Sequence, residues 1–122
     1  MPIVDVRPVV PVSQPLPSNA AKALANAIAA VLRAKPGTVW VRLTEISDRN
    51  YAENETTIED TDLPVFVQII HADSLEVGEK AREALELAAA VGNSLGRRIE
   101  RVHIEYAQPA RRRIAFGGQL VK

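Results

Sequence analysis

The chain is 122 residues long, 47% hydrophobic and 25% charged, and its fifteen basic and fifteen acidic side chains cancel. That much apolar material suits one compact domain over residues 1–122 rather than a disordered chain, and the neutral balance gives no overall field toward nucleic acid or an anionic membrane, so a small or neutral partner is expected. Cysteine is absent, which removes disulfides, thiolate metal sites and thiol nucleophiles and is compatible with a reducing cytoplasm.

The strand-like run Pro2-Ile3-Val4-Asp5-Val6 follows Met1 directly. Asp5 and Arg7 interrupt what would be the apolar part of a signal peptide, and no run reaches the ~20 apolar residues of a membrane span. Removal of Met1, usual before a small residue, turns Pro2 into a secondary amine at a strand end. An α-amino group titrates at roughly 7.7 to 8, and apolar burial or a nearby cation disfavours its protonated form. Such an amine suits proton abstraction next to a carbonyl. With Met1 retained, the same nitrogen is a tertiary amide without useful basicity.

The first strand runs to about Val10, and Pro8, Pro11, Pro15 and Pro17 then form a stiff connector. Ser18 reads as the N-cap of an alanine-rich helix over 19–34, with Ala21, Leu24, Ile28, Val31 and Leu32 at helical spacing. Pro36-Gly37 stops it, and the β-branched residues and Trp40 of 38–46 indicate a strand. Residues 47–62, carrying Asp48, Glu53, Glu55, Glu59, Asp60 and Asp62, read as a surface loop or an excursion of short strands.

Leu63-Pro64 opens a further strand, 65–71, almost continuously apolar as in a strand covered on both faces. Ser74 caps a second helix. Along it Val77, Ala81, Ala84, Leu85, Ala88, Val91 and Leu95 form one face, Glu76 with Lys80 and Arg82 with Glu86 pair on the other, and Gly96 ends it. Residues 101–107 alternate, with Val102, Ile104 and Tyr106 opposite Arg101, His103 and Glu105.

The order β-α-β thus occurs twice, over about 1–46 and 63–107, and Met1-Pro2-Ile3-Val4 is echoed by Leu63-Pro64-Val65-Phe66. The expected class is α+β, a four-stranded sheet with both helices on one face. Val39, Val41, Leu43 and alternate residues of 65–71 supply more apolar surface than two helices are expected to cover, which predicts self-association. The tail 112–122, through Ile114-Ala115-Phe116-Gly117-Gly118-Gln119-Leu120-Val121, reads as a strand for a neighbour's sheet edge.

A proline at position two, tandem β-α-β units and a short C-terminal strand resemble the tautomerase superfamily over nearly the whole chain. The length is similar to its double-unit branches, 5-carboxymethyl-2-hydroxymuconate isomerase and macrophage migration inhibitory factor; 4-oxalocrotonate tautomerase has a single unit. The resemblance implies a homotrimer with an intersubunit pocket, an amino-terminal proline as catalytic base or acid, and no cofactor. Pro2 matches that proline. Lys35 resembles the pocket lysine of the inhibitory-factor branch, or is a cation favoured at a helix C-terminus. Arg42 resembles an arginine that binds substrate carboxylate, or forms a rim or intersubunit salt bridge. His103 and Glu105 match polar pocket positions on the last strand of the second unit, or join an interfacial charge network with Arg101. Phe116 resembles an aromatic sent into the pocket, or packs in the core or an interface.

His71 reads as a hydrogen-bonded strand-end residue, and Arg111-Arg112-Arg113 as a solvated turn able to attract a dianion. No metal-binding spacing and no glycine-rich phosphate cradle are present. The function implied is a cofactor-free tautomerase acting on an enol or 2-oxo acid. The alternatives are an inactive trimeric binding or structural protein of the same fold, or a dehalogenase, hydratase or decarboxylase of the superfamily.

Overall fold

A computed structural model describes residues 2–122; Met1, and with it the expected removal of that residue, lies outside the described residues. The elements in order are β1 (Ile3–Val10), α1 (Ala20–Leu32), β2 (Trp40–Leu43), β3 (Ile46–Ser47), β4 (Val65–Ile70), α2 (Val77–Leu95), β5 (Val102–Tyr106) and the short strands β6 (Ala115–Phe116) and β7 (Gln119–Leu120). The main sheet has the order β2-β1-β4-β5, with β3 also pairing to β1. Each crossover helix joins a parallel pair, β1 with β2 and β4 with β5, while β1 and β4 meet antiparallel at the centre.

Strand alternation decides what faces the helices. Val4 and Val6 lie opposite Ile69 and Val67 and beside Val41 and Leu43. Together with Leu24 and Ile28 of α1 and Leu87, Ala88 and Val91 of α2, they form the buried core, each large aliphatic side chain contributing about 1.5–3 kcal/mol. Val39, Val41 and Leu43 therefore lie on the helix side rather than adding to an uncovered surface. The open face carries Arg42, Asp5, Gln68 and Glu105 in one row and Arg7, Phe66 and His103 in another. Consequently β4, expected to be covered on both faces, alternates in the chain between buried and half-buried residues.

The helices differ from expectation at their ends and in one face. Neither has a side-chain N-cap: Asn19 and Glu76 occupy the cap positions instead of Ser18 and Ser74. Backbone does the work at α1, where the Ala20 N–H donates to the Pro17 carbonyl at 3.0 Å. Helix α1 ends at Leu32, short of 34, because Arg33 turns left-handed at φ 52°. On α2, Val77 and Leu85 are 83% and 63% exposed, and Leu87 and Gly92 take their place in the core. Gly92 is a point of close approach, where an added Cβ would lie 2.6 Å from the Arg97 carbonyl oxygen. The expected pairing of Glu76 with Lys80 is replaced by a cation–π contact, Lys80 Nζ lying 5.3 Å from the Tyr106 ring centroid.

Residues 47–62 form two short 3-10 turns and one isolated bridge, Glu53 with Thr56. Two of their acids, Glu53 and Asp62, are anchors. Glu53 accepts from the Tyr51 hydroxyl at 2.6 Å and from Arg101 at 2.8 Å, and Asp62 accepts two bonds from Arg98 at 2.8 and 2.9 Å. These donors hold both carboxyls below their usual titration range, the Tyr51 bond leading for Glu53 and the Arg98 bond for Asp62. A lowered folded value means that the tether is present above the unfolded value and is lost as pH falls through the folded one. Below about pH 4, amide exchange in 47–62 is expected to accelerate while the α1 and β4 amides stay protected, which hydrogen-exchange mass spectrometry measures.

The tail is a hairpin rather than a single strand. Ala115 pairs with Leu120 and Phe116 with Gln119, and Gly117 and Gly118 supply the two positive φ values, 57° and 83°, that a tight two-residue turn needs.

Candidate active site

Pro2 immediately precedes β1, and its carbonyl accepts the Trp40 N–H at 3.1 Å, fastening the start of β1 to β2. By alternation its ring falls on the same side as Val4 and Val6, toward the helices, and it is buried. The left-handed Arg33 ends α1 so that Ala34 and Lys35 turn back over this end of the sheet. Thr38 locks the turn by donating its hydroxyl to the Lys35 carbonyl at 2.6 Å, and the Trp40 indole N–H donates to the Gly37 carbonyl at 3.0 Å. The result is a cavity of about 350 Å³ in which Pro2, Lys35, Thr38, His71 and Glu83 meet over Leu32 and Ala34.

One wall of that cavity is a hydrogen-bonded cluster. His71 follows β4 in the phase of Val65, Val67 and Ile69, so it too is placed on the helix side. Its Nε2 meets Glu83 Oε2 at 2.8 Å, and the Tyr106 hydroxyl donates to the same oxygen at 2.7 Å. The His71 and Tyr106 rings are near-parallel, 18° apart with centroids 6.1 Å apart. Burial, followed by the bond to Glu83, pushes the Tyr106 phenol up, so it stays protonated and acts as a donor.

Of the six site residues expected from sequence, Pro2, Lys35, Arg42, His103, Glu105 and Phe116, the chain brings only Pro2 and Lys35 to this cavity. Arg42 sits on the open sheet face, where its guanidinium makes a two-pronged bond to Asp5 at 2.6 and 2.9 Å. Asp5 is only 8% exposed, and the pair raises the Arg42 titration point, chiefly through the hydrogen bond. Glu105 lines a separate cleft of about 710 Å³ with Gln68, Tyr106 and Arg113. His103 lies against Phe66, ring centroids 5.5 Å apart, and Phe116 packs edge-on against Trp40 at 5.3 Å. Strand parity explains the separation: Arg42, His103 and Glu105 are on the open face, and Pro2 is on the helix face.

Sequence reasoning does not single out Glu83 or Tyr106 for the site; His71 is, as expected, a hydrogen-bonded residue at the end of β4, with Glu83 as its partner. The available signal was the phase of 65, 67, 69 and 71, which continues the helix-facing set through the histidine. The arginine run is a folded turn: Arg111 makes a two-pronged bond to Asp73 at 2.5 and 2.7 Å, and Arg113 donates to the Gln108 and Pro109 carbonyls at 3.2 and 3.3 Å. Among the described residues no cluster of three His, Asp or Glu side chains has the placement to hold a metal ion, and no helix is long and apolar enough to cross a membrane.

The sequence matches no family profile and no curated protein. Solved structures do match. The macrophage migration inhibitory factor of Trichinella spiralis is 14% identical with a TM-score of 0.72, over 97% of this chain and 98% of that one. A protein whose structure was determined after inactivation by 2-oxo-3-pentynoate, Pt0534, is 12% identical with a TM-score of 0.74, over 98% and 94%. A fused 4-OT described as a symmetric trimer is also 12% identical with a TM-score of 0.74, over 98% of both chains. Coverage from end to end, together with the two β-α-β units and both helices on one sheet face, shows that this chain has the fold seen in the macrophage migration inhibitory factor and fused 4-OT structures.

Proposed function

We propose that the protein is a tautomerase that moves a proton between carbon and oxygen of an enol or 2-oxo acid, with Pro2 as the base after removal of Met1. The observation that carries this reading is the meeting of Pro2 and Lys35 in one small cavity with an apolar floor. Pro2 exchanges the proton at carbon, and Lys35 holds the substrate carboxylate and offsets enolate charge. No cofactor is needed for this chemistry. Arg42 is committed to Asp5, so Lys35 takes the anchoring role. The assembly is a homotrimer, in keeping with the symmetric trimer of the fused 4-OT, and in it a neighbour's open-face residues, His103 and Glu105 with Phe116, close the pocket.

Intact mass and activity test the reading together. Protein lacking one methionine is expected to ketonise phenylenolpyruvate and to sediment as a trimer; a processed protein without that activity sinks the proposal. Full retention of Met1 favours the second reading, a trimeric binding protein of the same fold, because Pro2 is then an amide. Lys35→Ala is expected to raise KM for a 2-oxo acid substrate by about 10- to 100-fold, the worth of one charge-assisted hydrogen bond, with a smaller change in kcat. Unchanged KM would remove Lys35 from the site.

A further inference from the structure

We propose that His71 is a second proton-transfer group of the cavity, working on the substrate oxygen while Pro2 works on carbon, with Glu83 and Tyr106 as its positioning residues. The inference rests on the Pro2 reading above and extends it by naming the partner acid–base group. Its basis is geometric. His71 and Glu83 line the same cavity as Pro2, with side chains only 20% and 15% exposed. The His71 backbone is pinned by the Ala110 N–H, which donates to its carbonyl at 2.8 Å.

The ring is held from two directions. Glu83 takes Nε2 at 2.8 Å, and the Tyr106 ring lies nearly parallel to it. Tyr106 in turn holds Glu83, donating at 2.7 Å to the oxygen that faces the histidine. A carboxylate at Nε2 places the hydrogen there and leaves the lone pair on Nδ1. Among the described residues Nδ1 has no hydrogen-bond partner. A histidine serving only to finish β4 would need the Glu83 bond alone; here the opposite nitrogen is left without a partner on a residue that lines the same cavity as Pro2.

For ketonisation of a 2-hydroxy enoic acid the step balances. His71 Nδ1 takes the enol O–H proton, and the electrons of that O–H bond become the second bond of C=O. The C=C electrons take a proton from the Pro2 ammonium at the adjacent carbon. The step leaves a neutral Pro2 and a His71 imidazolium next to the Glu83 carboxylate, and exchange with water resets both. In the reverse direction His71 gives and Pro2 takes. A substrate that fits must present oxygen and carbon at opposite ends of a short conjugated unit with a carboxylate for Lys35.

The test compares His71→Ala, Glu83→Gln and Pro2→Ala with the processed wild-type protein on phenylenolpyruvate. His71→Ala is expected to lower kcat by about 100-fold, within the range of general acid–base groups, with KM within about two-fold. Imidazole in the buffer should restore its rate in proportion to concentration and leave Pro2→Ala unaffected. Glu83→Gln should lower kcat about ten-fold with KM retained, and it decides the matter if circular dichroism shows His71→Ala unfolded. A wild-type rate lost in Pro2→Ala but kept in both other variants overturns this inference and leaves the Pro2 reading standing. A folded His71→Ala that is slow and unresponsive to imidazole also overturns it, assigning His71 a structural role. A processed wild-type protein with no activity overturns both.

Discussion

Exchanging Pro2 for alanine in the processed protein is expected to slow ketonisation of phenylenolpyruvate by about 100-fold or more, the share that a positioned acid–base group contributes, or about 3 kcal/mol of barrier. The loss should fall on kcat, because Lys35, Thr38 and the apolar floor remain. Alanine also permits removal of Met1 and keeps an amine, so the variant isolates what the ring does: it fixes the nitrogen at the strand end and makes it secondary. The bond from the Trp40 N–H to the residue 2 carbonyl is a backbone contact and survives. Pro64 is the internal control. It occupies the equivalent place in the second unit and is fully buried, but its nitrogen is a mid-chain amide. Pro64→Ala should therefore lower Tm without lowering kcat per folded protein. Equal kcat for wild type and Pro2→Ala would remove proline from the chemistry.

The contrast between these two prolines shows what the sequence could convey. Repetition of strand, helix and strand was legible because each element has its own period: alternation at 102–106, helical spacing through Leu24 and Ile28, β-branched runs at 65–70. The placement of both helices on one face follows from right-handed crossovers in two units related by a pseudo-twofold axis, whereas the central pairing of β1 with β4 is a feature of the structure. The rotation of α2 was not legible, because Leu85 and Leu87 are equally apolar, yet Leu85 is exposed and Leu87 fully buried. The fate of the polar residues was hidden for a related reason. Arg42 is free or committed according to whether Asp5 lies beside it, and that depends on the parallel register of β1 and β2. Glu83 sits in a charged stretch of helix that reads as solvent-facing, yet it turns toward His71 because β4 ends beneath it. Lys35 and Pro2 were found separately, and only the left-handed turn at Arg33 places them in one cavity.

Gly92→Ala is expected to destabilise the fold by about 3 kcal/mol, at the upper end of overpacking costs, and to lower Tm by about 10 °C. A Cβ at this position would lie 2.6 Å from the Arg97 carbonyl oxygen, a backbone atom with no rotamer through which to retreat. The approach is fixed from both sides, since the Arg97 N–H donates to the Gly92 carbonyl at 2.8 Å and Gly96 turns left-handed at φ 69° to make the crossing. Any shift that relieves the clash moves Arg97, whose guanidinium donates to the Leu63 carbonyl at 2.7 Å and the Val9 carbonyl at 2.9 Å. Those bonds tie the end of β1 to the start of β4, and burial alone lowers the Arg97 titration point; freeing a buried carbonyl costs about 1–3 kcal/mol. Gly78, in the first turn of the same helix, has open space where its Cβ would be. Gly78→Ala should accordingly stabilise by about 0.5–1 kcal/mol through helix propensity and the reduced freedom of the unfolded chain. Opposite signs for one chemical change on one helix, read by thermal unfolding, identify the close crossing as the cause; a destabilisation shared by both variants would instead assign the cost to the added methyl itself.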